Sequence, residues 1–264
     1  MPPATPPPKR IAFLHLAPTP GDVPGNQWMI ERGIERALAA GATWILTPEL
    51  ARCGYGFASL IGTDWIAPQP DDWMTRLLRM TAQHRATLLL STPERDRQSN
   101  HLYNSLFVLG PTGTVLGTHR KINALRMGSE AWSTSGTAAD AIRVADDLSV
   151  GLMICADAAS PRIATTLQAQ GARLLVSAAA WAPGHHGPSG EWERCSRETG
   201  LPLLACNRTG RDTTLDFTNG ESVVVQQGRR VLTMTATRST VCVIDWNDAT
   251  QSLASPQVER IELS

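Results

Sequence analysis

The chain of 264 residues has no excess charge of either sign, with 24 Lys+Arg set against 24 Asp+Glu. Nucleic-acid binders usually carry a basic excess, so no nucleic-acid partner is expected. It also has no run of about 18 apolar residues, which excludes a membrane-spanning helix and a membrane partner. Its five cysteines (Cys53, Cys155, Cys195, Cys206 and Cys242) are odd in number and form no CxxC. That argues against a disulfide scaffold or a zinc ribbon and favours a reducing, cytoplasmic setting. No GxGxxG, GxxxxGK[ST] or GxSxG occurs, so dinucleotide binding, a phosphate loop and the serine-hydrolase elbow all lack support. The one histidine pair, His185-His186, is adjacent, and sequence neighbours rarely face one metal. A polar loop is the plainer reading, and no metal site is expected.

What is present suits a single soluble domain, with 42% hydrophobic and 18% charged residues. Residues 1–10 are Pro-rich and read as a disordered leader, without the apolar core of a signal peptide. Residues 11–264 show no composition break and no repeat. Short apolar runs at Ile11–Ala17, Trp44–Leu46, Ala86–Ser91, Leu148–Ile154, Leu174–Ala178 and Pro202–Cys206 predict strands. Ile30, Ile34 and Leu38 recur every four residues and predict a helix over Asn26–Ala40. Further helices are predicted around Trp73–Thr81, from Ser160-Pro161 to Gly171, and over Trp192–Thr199. Gly110-Pro111-Thr112-Gly113 separates two strand-like runs and predicts a hairpin, as do Glu221–Gln226 and Arg230–Thr235, with Thr240–Asp245 following. Alternating strands and helices with inserted hairpins define an α/β fold whose sheets are mixed and whose helices cover the outer faces.

Three of the predicted strand ends carry polar chemistry. Cys155 follows the buried run Ser149–Ile154 where a helix begins. Amides at a helix start and a nearby cation favour a thiolate there; the plain alternative is a buried core cysteine. Glu49 follows Trp44–Pro48, and Lys121 follows Thr114–Thr118 in His119-Arg120-Lys121-Ile122-Asn123. These three converge if their strands are sheet neighbours. A carboxylate can then take the thiol proton, and an ammonium can stabilise an oxyanion. Taken singly, Glu49 and Lys121 read equally well as solvated charges at loop starts. His119 reads as structural.

The order of these residues resembles the nitrilase, or carbon–nitrogen hydrolase, superfamily. Thr47-Pro48-Glu49-Leu50, Arg120-Lys121 and Ile154-Cys155-Ala156-Asp157 carry the resemblance. Gly54-Tyr55-Gly56-Phe57, Tyr103-Asn104-Ser105, Glu130, Ala180-Trp181, Asn207-Arg208-Thr209-Gly210 and Gly220-Glu221-Ser222 extend it from about Ile11 to Asp245.

The resemblance implies a four-layer αββα sandwich, paired into a homodimer or a higher even oligomer. It implies Cys155 as nucleophile, Glu49 as general base, Lys121 as oxyanion stabiliser with the Ala156 N–H, and Glu130 as a group that orients Lys121 or helps position substrate. Trp181, Tyr55 and Asp157 would complete the oxyanion and substrate-binding shell, with Phe57 as a second candidate wall and Asn104 a structural hydrogen-bonder. The substrate would be a small amide, cleaved through a thioester without cofactor or metal to a carboxylic acid and ammonia or an amine. Nitrile hydrolysis, N-carbamoyl hydrolysis and acyl transfer use the same triad, and a non-catalytic binding protein of this fold is the remaining alternative. After the nucleophile, amidase-like members commonly read Cys-aromatic-Asp-x-Arg-Phe-Pro. This chain reads Cys155-Ala156-Asp157-Ala158-Ala159-Ser160-Pro161. It lacks the Cys-Trp-Glu of nitrilases and the arginine of carbamoylases. Small residues at Ala156 and Ala158 suggest a pocket for a larger or less charged acyl group. Arg162, His185 and His186 are the nearest replacement anchors.

Overall fold

Alternate residues along the first strand face opposite ways. Ile11 and Phe13 pack into one core while Ala12 and Leu14 pack into another. The same split recurs at Leu89 against Leu88 and Leu90, and at Leu106 and Val108 against Phe107 and Leu109. A sheet buried on both faces yields continuous apolar runs, as the sequence shows. A computed structural model describes residues 8–125, 128–184 and 187–263.

Along the chain lie β1 (Lys9–His15), α1 (Val23–Ala39), β2 (Trp44–Leu46), α2 (Ala58–Ile61), α3 (Asp72–His84), β3 (Thr87–Arg95), β4 (Leu102–Leu109), β5 (Val115–Arg120), β6 (Ala141–Ala145), β7 (Leu148–Ile154), α4 (Pro161–Ala169), β8 (Leu174–Ala178), α5 (Glu191–Thr199), β9 (Leu203–Cys206), β10 (Ser222–Gln226), β11 (Arg229–Met234), β12 (Thr240–Asn247), β13 (Ser252–Leu253) and β14 (Glu259–Glu262). One sheet runs β13-β12-β1-β2-β3-β4-β5, with β14 also on β12; the other runs β11-β10-β9-β8-β7-β6. Each sheet has a parallel centre, β1-β2-β3 in one and β7-β8-β9 in the other, flanked by antiparallel strands. Both sheets are therefore mixed.

Helices α1 and α3 cover the outer face of the first sheet through Ile30, Ile34, Trp73 and Leu77. Helices α4 and α5 flank the second sheet through Leu167 and Trp192. Asp22 accepts from Gly25 N at 3.0 Å and starts α1; Asp71 does the same for α3 from Met74 N at 2.9 Å. Gly151 on β7 allows α4 its close approach, because a Cβ there would lie 2.9 Å from Leu167 Cβ. The layers are α1/α3, sheet, sheet, α4/α5, an α/β sandwich of the expected kind.

The structure differs from the sequence reading at the margins. Strand β1 takes in Lys9 and Arg10, two residues assigned to the leader, because both pair with β12. Residues 1–7 lie outside the described residues. The edge strands β6, β13 and β14 and the short α2 were not anticipated. Among the five residues of β6 only Ile142 is buried, which leaves little apolar periodicity to detect.

His15, at the end of β1, is fully buried, with Nδ1 2.9 Å from Ser222 Oγ. Burial lowers its pKa to about 4. The unfolded chain, with an ordinary imidazole near 6.5, then binds the proton more tightly than the folded chain. Stability should therefore fall as pH drops from about 6.5 to about 4, by up to ~3 kcal/mol from this residue. In denaturant titrations across that range, His15→Gln should remove that part of the slope; an unchanged slope would count against it.

Candidate active site

Parallel strands place their C-terminal ends on one edge of a sheet, and here several chemistry-bearing residues lie just beyond them. Glu49 lies three residues past β2, Cys155 directly follows β7, Ala180 lies two past β8, and Asn207 directly follows β9. Lys121 follows β5. The strands are not sheet neighbours, as the sequence reading requires for convergence. In the first sheet β3 and β4 separate β2 from β5, and β7 belongs to the second sheet. Convergence instead happens across the sandwich, where the two sheets face each other. Glu49 N donates to Ala179 O at 3.2 Å, and Ala180 N donates to Glu49 Oε2 at 2.9 Å, tying the sheets together at this end.

Lys121 occupies the centre. Its ammonium is 1% exposed and donates to Glu49 Oε1 at 2.8 Å and to both oxygens of Glu130 at 2.7 Å. Asn104 Nδ2 donates to Glu49 Oε1 and to Glu130 Oε1, both at 2.8 Å. Tyr55 Oη donates to Glu130 Oε2 at 3.3 Å. Burial opposes charge on Lys121, but Glu49, Cys155 and Glu130 more than compensate and raise its pKa well above the ordinary lysine value. Burial raises Glu49 in turn, against the pull of Lys121.

Cys155 sits at φ +46°, a left-handed conformation rare for a residue with a Cβ. Leu50, directly after Glu49, is also left-handed at φ +50°. Burial and the neighbouring Glu49 raise the thiol pKa well above its usual value, and Lys121 only partly offsets this. Burial and Glu49 thus act against the thiolate that a helix start and a nearby cation favour.

Asp157 is also reassigned. Expected in the substrate-binding shell, it is fully buried with both oxygens in use. Oδ1 accepts from Ile122 N at 3.0 Å and Asn123 N at 2.8 Å; Oδ2 accepts from Ile154 N at 3.0 Å and lies 2.8 Å from His119 Nε2. Burial would raise its pKa, but His119 and the backbone donors overcome this and hold it below the usual carboxylate range. Asp157 thus ties the lysine loop to the nucleophile turn. His119, read as structural, is its partner.

A cavity of about 620 Å³ opens at Cys155, walled by Tyr55, Leu125, Ala156, Trp181, Pro183 and Leu215 among others. Tyr55, Ala156 and Trp181 thus lie where the sequence predicts a pocket. Phe57 does not line it; it is buried edge-to-face against Trp65 and Trp132. Ala158 is buried outside the cavity, and Arg162 lines a separate depression with Ile122 and Asn123. His185 and His186 lie outside the described residues. Among the described residues no group of three or more His, Cys, Asp or Glu is placed to hold a metal ion, and no helix is long and apolar enough to cross a membrane.

Several positioning groups were missed. Asn207 holds Trp181 by its backbone, accepting from Trp181 N and donating to Trp181 O, both at 3.0 Å. Asp212 accepts from Tyr55 N and Gly56 N at 3.0 Å, and is itself held by buried Arg208 at 2.6 Å. Asn207 and Arg208 stand in a segment that carries the family resemblance, which was the available signal. Asp212 had none.

The description "Carbon-nitrogen hydrolase" belongs to the family model that matches residues 10–254, so the chain is a member of the carbon–nitrogen hydrolase family. Among its relatives are a probable nitrilase of Schizosaccharomyces pombe, 25% identical and covering 90% of this chain and 89% of that protein, and the omega-amidase NIT2 of Mus musculus, 28% identical and covering 80% and 79%. An amidase from Nesterenkonia sp. AN1 superposes with a TM-score of 0.80 at 25% identity, over 91% of this chain and 94% of that one. A further structure of that amidase, 24% identical, shows acrylamide added at its active-site cysteine.

Removing the Asp157 carboxylate leaves three backbone donors and His119 without their acceptor. Asp157→Ala should lower the unfolding free energy by about 3 kcal/mol or more in denaturant titrations. A loss below about 1 kcal/mol, the scale of one ordinary hydrogen bond, would contradict this clamp.

Proposed function

We propose that the protein hydrolyses the C–N bond of small non-peptide amides through a thioester on Cys155. The observation that carries this reading is the buried group itself. Two carboxylates and one ammonium, drawn from two facing sheets, are buried together beside a thiol that lines a cavity.

Glu49 takes the thiol proton as sulfur bonds to the amide carbon. Its raised pKa suits it to that task, because a stronger base accepts the proton more readily. The negative oxygen that forms is stabilised by the charge of Lys121 and by the Ala156 N–H. Ala156 stands in the first turn of the 3-10 segment Cys155–Ala159, where backbone N–H groups have no acceptor within the helix. The C–N bond then breaks, and Glu49 returns the proton to the departing ammonia or amine. A water molecule, deprotonated by Glu49, attacks the thioester; the C–S bond breaks and the proton returns to sulfur. Glu130 and Asn104 hold Lys121 and Glu49 in register throughout and form no bond to substrate.

Ammonia release from a panel of simple amides tests this directly. Cys155→Ala should abolish turnover. Glu49→Gln should lower kcat/KM by ~10²–10⁴-fold, and intact mass should show an acyl adduct that disappears in the Cys155→Ala/Glu49→Gln double variant. An adduct that survives loss of Cys155 would refute the assignment.

Glu49 must be unprotonated to accept the thiol proton, so activity falls as pH drops through its pKa. Since burial raises that pKa, the acidic limb of kcat/KM should lie above the ordinary carboxylate range. A limb at or below about pH 4 would contradict this role for Glu49.

A further inference from the structure

We propose that the acyl pocket selects uncharged, apolar acyl chains, and that amides bearing a second carboxylate are poor substrates. The inference rests on the hydrolase reading above and adds its substrate class.

The walls around Cys155 are apolar or aromatic: Tyr55, Leu125, Ala156, Trp181, Pro183 and Leu215. No described residue lining this cavity carries a charged side chain. Among the described residues, the charged groups nearest the sulfur act at the reacting carbonyl and do not line the cavity. Glu49, Lys121 and Glu130 are all but fully buried, and each donor of the Lys121 ammonium is directed at the two carboxylates. Arg162, the cation closest to the nucleophile in sequence, lines another depression. The basic side chain of Arg208 is spent on Asp212 and on the carbonyls of Pro18 and Arg211.

A carboxylate on the acyl chain would therefore shed water in this cavity without a described partner, which is costly. An alkyl or aryl chain gains instead, since each methylene leaves water for a wall of carbon. The volume, about 620 Å³, falls in the range of pockets that hold drug-sized ligands and far exceeds an acetyl group. The small side chain of Ala156, beside the nucleophile, leaves that space open. Leu125 and Leu215, 52% and 37% exposed, extend the apolar surface to the rim, where a longer chain would cover them.

The test is kcat/KM for the straight-chain primary amides from propanamide to octanamide, for 3-phenylpropanamide, and for glutaramate, the five-carbon amide that ends in a carboxylate. Rates should rise about two- to fourfold per added methylene over the first members, the equivalent of up to ~0.8 kcal/mol for each. Glutaramate should fall at least ~10-fold below pentanamide. Leu215→Arg, at the half-exposed rim where the fold tolerates a charge, should raise the glutaramate-to-pentanamide ratio by ~10-fold or more. A flat series, or glutaramate above pentanamide in the wild type, overturns the inference and leaves Cys155-dependent hydrolysis standing. Absence of ammonia release from every amide, with no adduct on Cys155 in Glu49→Gln, overturns the hydrolase reading and this inference with it.

Discussion

One buried ammonium shared by two carboxylates sets the terms for the rest of the site. Lys121 donates to Glu49 and Glu130 at 2.7–2.8 Å with almost no contact with water. An ammonium in that position is tolerable only with its partners in place, since an unpaired buried charge costs several kcal/mol. The two acids need the one cation for the same reason. Burial, and then the imbalance of two negative groups to one positive, raises the pKa of the adjacent thiol. In the proposed reaction Glu49 is at once a salt-bridge partner and the base.

Such a cluster demands precise placement, and the surrounding backbone supplies it. Asp157 joins the turn after β7 to the loop after β5, and so connects the Cys155 and Lys121 segments. Asn104 spans both carboxylates from β4, and its carbonyl accepts from Lys121 N at 2.8 Å. Asn207 and Asp212 fix the Trp181 and Tyr55 loops that wall the cavity. Left-handed conformations at Leu50 and Cys155 cost free energy that local propensity would not choose, and the packing around them imposes it. One directly follows Glu49 and the other is Cys155 itself.

Much of this was legible in the sequence, for reasons that differ by element. Runs such as Leu148–Ile154 and Leu174–Ala178 read correctly as strands because both faces are almost wholly buried and each run is interrupted by a single serine at most. Helix α1 announced itself by a four-residue repeat and α4 by Ser160-Pro161. The strands β6 and β14 did not, because only one of their side chains is buried and they are held by backbone pairing. Residues that carry the cluster were recognised by their order along the chain, which records a shared ancestry more than a local physical signal. What order could not supply was environment. A helix start favours a thiolate at Cys155, yet burial and Glu49 push its pKa the other way. Asp157 was expected in the substrate-binding shell, yet its oxygens are taken up by three backbone donors and His119. Both outcomes depend on contacts between segments more than 30 residues apart or on desolvation, neither of which a linear pattern displays.

The central claim, a protonated Cys155 held beside a carboxylate-rich pair, is open to direct measurement. The ultraviolet thiolate absorbance of the wild type minus that of Cys155→Ala, followed across pH, isolates this one sulfur from the other four cysteines. The account predicts no thiolate signal at neutral pH and none until pH exceeds that of an ordinary thiol, near 8.5. Lys121→Met, by removing the paired ammonium, should not bring the signal to lower pH. A full thiolate signal at neutral pH in the wild type would show that the cluster activates the thiol by ionising it in advance, and would contradict the account.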